Sequence, residues 1–121
     1  MSLSNYGENR MLSLFRGAGT FYLALFTSDP GEEGSGTEVS GGAYARQPVT
    51  FGLPDGGSMA SSAAVEFPII TADWGTVSHW GLFDAATGGN LWWYGSITTP
   101  RQLLSGDIYR VPAGNLTLSM D

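Results

Sequence analysis

From residue 20 onward, turn-forming residues interrupt the chain so often that no apolar run can continue for long. Four clusters do most of this: "SDPGEEGSGTEVSGG" (Ser28 to Gly42), "GLPDGGS" (Gly52 to Ser58), "AATGG" (Ala85 to Gly89) and "PAGN" (Pro112 to Asn115). Glycine supplies positive φ, proline presets a turn, and Asn, Asp and Ser bond their own backbone. Between the clusters lie short apolar or alternating runs, among them residues 20–27, 44–51, 62–68, 76–84, 90–97, 107–112 and 115–120. This spacing predicts about seven strands. The expected fold is mainly β, a small antiparallel β-sandwich, and 121 residues suit a single domain over 1–121.

One segment departs from that pattern. Residues 4–16 read as a short N-terminal helix, with Ser4 as N-cap, Glu8 in the early turns and Gly17 just past the end. Tyr6, Met11, Leu12, Leu14 and Phe15 supply an apolar side, with Met11 and Phe15 one turn apart. Gly7 weakens the helix by about 1 kcal/mol against alanine. A helix this short must dock on its own domain or on a neighbour.

The strands differ in how they pattern. "TFYLALFT" is apolar on both faces, so it reads as a central strand covered on each side, or with one face covered by the helix. Pro48 pushes its strand toward an edge. In residues 76–84, alternation puts Val77, His79, Gly81 and Phe83 on one face and Ser78, Trp80 and Leu82 on the other. Residues 28–42 have almost nothing to bury and read as a long surface loop.

Charge and cysteine usage remove several function classes. The net charge is −6 and the basic residues are five arginines, so there is no basic stripe for phosphate contacts or anionic lipid. No nucleic-acid or membrane partner is expected. No apolar run approaches the ~18 residues of a membrane span, and residues 1–16 lack the order of a signal peptide. With no cysteine there is no disulfide, thiolate metal site or cysteine nucleophile. Charged residues are only 13% of the chain, which suits a surface partly hidden in an assembly.

A search for chemistry returns little. His79 is the only histidine, and Ser78 or Ser96 with Asp84 or Asp73 could be imagined beside it, but no nucleophile elbow is present. Asp73 and Asp84 flank a strand that holds them too far apart for a glycosidase pair. Asp29, Glu32, Glu33 and Glu38 crowd one flexible loop, where calcium is a weak alternative to a solvated acidic loop. The spacing matches no EF-hand, and no cofactor is expected.

The aromatics are the remaining signal. In "NLWWYG", strict alternation puts Trp92 and Tyr94 on one strand face and Leu91 and Trp93 on the other. The two tryptophans would then be split, one toward the core and one outside. A sugar-stacking role is one reading of the exposed ring; cover by another subunit is the other.

Several strings resemble a known family: "SNYGENRMLSLF", "YLALFTSDP", "GTEVSGGAYARQPVTFG", "AAVEFP", "ADWGTVSHWGLFDAATGGNLWWYG" and "TLSMD". Together they are similar, in order and along nearly the whole chain, to small bacteriophage proteins usually labelled tail fibre or phage structural protein. The resemblance implies a non-enzymatic virion component, assembled in the bacterial host cytoplasm. Its partners would be other virion proteins and copies of itself, in a homo-oligomer such as a trimer. A tail-tip or fibre position is expected. A capsid decoration protein and a module binding a host-surface glycan are the alternatives. The residues expected at contacts are Met11, Phe15, Tyr44, Arg46 and Trp93, although Arg46 could instead pair with Glu38 across the loop.

Overall fold

The computed structural model describes residues 3–119. It is mainly strand, with one helix and only antiparallel sheets. The helix, α1, spans Asn5–Arg16, and Ser4 caps it by accepting the Gly7 N–H at 3.1 Å. Gly17 ends it with its N–H on Ser13 O, in a right-handed conformation (φ −87) and not the left-handed one that favours glycine there.

The main sheet has four strands in the order β2 (Gln47–Val49), β1 (Phe21–Phe26), β5 (Gly75–Phe83), β6 (Leu91–Leu103). Two short ladders complete the set: β3 (Ser58–Ala60) with β8 (Thr117–Ser119), and β4 (Val65–Glu66) with β7 (Arg110–Val111). Among the described residues eight strands therefore stand where about seven were expected. The extra one is β3, which follows a tight two-residue turn. Asp55 and Ser58 exchange both backbone bonds across Gly56 and Gly57, each at positive φ.

One face of the main sheet looks into the principal core. Leu23, Leu25, Val77 and Leu82 pack there against Met59, Val65 and Leu118 of the ladders and Leu116 just before β8. Helix α1 closes one end of this core with Leu12 and Phe15. Pro48 sits on the edge strand, as its missing N–H requires.

As an all-apolar run should, β1 is buried on both faces. Its second face carries Ala24 and Phe26, which meet Phe83 and Leu91. The cover on that side is the Ser28–Gly42 segment and not the helix: Gly34 lies beside Leu91, where a Cβ on it would make ordinary contact at 3.6 Å with that side chain. The expectation of a loop with almost nothing to bury is corrected here. Pro30 and Val39 are buried, Glu38 bridges to Phe26, and Thr37 O accepts the Thr27 N–H at 2.9 Å. The segment continues the sheet alongside β1 where β2 stops.

The β5–β6 ladder slips twice. Leu82 faces Trp93 and Phe83 faces Leu91, so Trp92 is an extra residue with no opposite number. Lower down, His79 faces Ser96 while Val77 faces Arg101, so the single residue Ser78 stands against 97–100. The second slip moves Val77 into the principal core, off the face shared by His79, Gly81 and Phe83.

Candidate functional site

Phe15 is the centre of an aromatic cluster that joins α1 to the sheet. Its ring stacks on Phe21 with centroids 3.9 Å apart, meets Trp93 edge-on at 4.5 Å, and lies tilted to Trp92 at 5.4 Å. Trp92 also meets Phe21 edge-on at 5.4 Å. Both tryptophans therefore touch the same ring. The expected split of Trp92 and Trp93 onto opposite faces is corrected, and the cause is the bulge. An extra residue breaks the two-residue period, so neighbours at a bulge can lie on one side.

The geometry settles which indole is outside. Trp93 is half-buried against the core, whereas Trp92 is 49% exposed. The Trp92 indole N–H is tethered, donating to Asp84 Oδ2 at 3.1 Å. Asp84 also accepts the Asn90 N–H at 2.8 Å and the Asn90 side-chain amide at 3.2 Å. The backbone bond from Asn90, then those from Trp92 and the Asn90 amide, hold the Asp84 carboxyl below its usual range. The exposed ring is thus anchored by a hairpin built around Asp84 and Asn90.

Beside Trp92, the outer side of α1 continues the apolar surface. Met11 is 49% and Leu14 66% exposed. Met11, Leu14, Phe15, Ala18, Trp92 and Trp93 enclose a shallow cleft of about 360 Å³ whose walls carry no charged side chain. Three of the expected contact residues, Met11, Phe15 and Trp93, come together here. Leu14, Ala18 and Trp92 join them, and the helical spacing Leu3, Gly7, Met11, Leu14, Ala18 could have revealed that stripe.

Tyr44 and Arg46 lie elsewhere, in a network inside the chain. Arg46 Nε and Nη2 bond the two Glu38 carboxylate oxygens, each at 2.9 Å. Nη1 donates to Ala85 O at 2.9 Å and Gly88 O at 2.8 Å, and the guanidinium sits 3.9 Å over the Phe83 ring centre. The Arg46 side chain is only 8% exposed. Tyr44 donates to Glu38 at 2.6 Å and accepts the Leu25 N–H at 3.1 Å. Burial opposes ionisation of Glu38, but the bonds from Arg46 and Tyr44 and the Arg46 charge outweigh it, so its carboxyl titrates below the usual value. Burial, and then the carboxylate beside it, push the Tyr44 hydroxyl strongly up.

Ser78 and Ser96 both lie beside His79, the second opposite it across the β5–β6 ladder, while the two aspartates are engaged elsewhere. His79 Nδ1 pairs with the neighbouring Ser78 hydroxyl at 2.8 Å, while Asp73 accepts the Ser105 N–H at 2.8 Å. Asp84 is committed to its hairpin, and Asp29 Oδ1 accepts the Gly31 N–H at 2.9 Å. Among the described residues, no three Asp, Glu or His side chains converge as a metal cluster. No helix among them is long and apolar enough to cross a membrane.

No curated protein matches the chain. The family model described as podophage GP4 fiber I protein gp80 matches residues 2–119, and on that match the chain belongs to this family of phage fibre proteins.

Proposed function

We propose that this chain is a non-enzymatic structural part of a phage tail fibre, and that it joins its neighbours through the face formed by α1 and Trp92. The family match supports the virion role. The observation that carries the contact face is the apolar stripe of Met11 and Leu14 running into an exposed, anchored Trp92. Large apolar side chains left side by side in water mark an interaction surface more often than scattered ones do. The partner is a second copy of the chain, in a closed oligomer such as a trimer. Closure lets a modest contact recur around an axis.

Purified virions provide the test. Mass spectrometry should find the chain in particles, and gold-labelled antibody should decorate the tail. Label confined to the head would overturn the fibre placement in favour of a capsid role. Absence from particles would overturn the virion role altogether. Cross-links between copies should fall on α1 and residues 92–93; cross-links only elsewhere would remove this face.

A further inference from the structure

A second cleft, sharing no residue with the contact face, opens where β6 leaves β5. Ser78 alone stands against residues 97–100, so the β5–β6 pairing is interrupted there. The gap is about 530 Å³, within the range of small-molecule sites. Leu23, Leu25 and Leu116 form its apolar base, and Trp80 and Tyr109 its aromatic walls. The Trp80 indole lies across Gly95, where any Cβ would stand 2.9 Å from Nε1. Glycine at 95 is what leaves room for that ring.

The polar groups around this cleft are unspent. No hydrogen bond among the described residues uses the Trp80 N–H, the Tyr109 hydroxyl, or the side chains of Ser96, Thr98 and Asn115, and none of these groups is sealed from solvent without a partner. Arg101 and Arg110 both line it, and the one ion pair among the described residues is Arg46–Glu38. Glu66 is the cross-strand neighbour of Arg110, but it forms no ion pair with it. Two of the five arginines of a chain with net charge −6 are thus placed together with their donors free.

The chemistry narrows the ligand. Aromatic walls with free hydroxyl, amide and indole groups suit a polyol ring, and a guanidinium fork suits a carboxylate. A long polyanion would be repelled strongly by the rest of an acidic surface, and a short chain bearing one carboxylate per ring much less. The geometry points to a binding site for an acidic saccharide, a uronate-type sugar, held by Trp80 and Tyr109 with its carboxylate on Arg101 and Arg110.

Titration calorimetry on the full chain tests this with a short oligogalacturonide, a neutral oligosaccharide of equal length, acetate, and a glutamate-rich peptide. Binding of the uronide in preference to the other three is expected. Arg101→Gln and Arg110→Gln should each weaken it on the order of tenfold, the scale of one charge-assisted hydrogen bond. Both positions are exposed, so circular dichroism should show an unchanged fold. Gly95→Ala, which displaces Trp80, should also weaken binding, with the change read from tryptophan fluorescence. No uronide binding, equal binding of the neutral sugar or acetate, tighter binding of the peptide, or full affinity in the double arginine variant would each overturn the assignment.

Discussion

Arg46 shows how one side chain can be singled out for two opposed reasons. The sequence marks it as a contact arginine or as the partner of Glu38; the chain contains that pairing, with four hydrogen bonds and a ring beneath. Choosing between them needs the separation of residues 38, 46, 85 and 88, which no local pattern carries. Arg46→Lys should destabilise the fold by about 2–3 kcal/mol, because an ammonium cannot reproduce a two-pronged pair and two carbonyl bonds; partial exposure of Glu38 keeps this below the cost at a fully buried pair. Urea unfolding checks it, and a loss under about 0.5 kcal/mol would show the network contributes little. The pH sign follows from Glu38. Its folded value lies below the usual 4.5, so its contribution is complete above that pH and is lost as pH falls through the lower folded value. Glu38→Gln should therefore flatten stability against pH below about 4.5, and an unchanged acid limb would exclude Glu38 as its source.

At the scale of elements, the period-two rule holds until a bulge interrupts it. Alternation reads Leu23, Leu25 and Leu82 into one face, and they are there. It fails for Trp92 and Val77 because each sits at a slip in the ladder, Trp92 as an unpaired residue and Val77 beside the mismatch of Ser78 with 97–100, and nothing local announces either slip. Strand β3 escapes the pattern for a related reason: three residues become a strand only because Thr117–Ser119 comes alongside. The helix is legible from its cap and composition, but its inward side is Leu12 and Phe15, with Met11 left outside. That division predicts two different outcomes within one element. Phe15→Ala removes the ring that touches Phe21, Trp92 and Trp93, and should cost about 3–5 kcal/mol. Leu14→Ser touches only the outer face and should shift stability by no more than about 0.5–1 kcal/mol. Thermal unfolding of the two variants side by side makes the comparison. Similar losses for both would mean that α1 does not dock through Phe15.

For the whole molecule the question is how strongly the contact face can hold copies together. Low charge and many aromatics point to a hidden surface, but which surface depends on packing that composition does not specify. The exposed fractions of Leu3, Met11, Leu14 and Trp92 amount to roughly two whole apolar side chains per copy, worth about 6–12 kcal/mol where two copies cover each other fully, before a cost of association of about 4–15 kcal/mol. A micromolar complex needs about 8 kcal/mol after the cost of association is met. The face alone is therefore too weak to hold a stable oligomer at micromolar concentration. Its strength must come from repetition, with each copy in a fibre held by more than one contact. Sedimentation equilibrium of the isolated chain should show monomer near about 10 μM and reversible association in the range of hundreds of micromolar. Leu14→Arg should remove that association while leaving the fold intact, because it places a charge in the middle of the stripe at a position 66% exposed in the monomer. Should the unmodified chain instead sediment as a tight oligomer that Leu14→Arg leaves untouched, a different surface holds the copies, and the α1–Trp92 face is free for some other part of the particle.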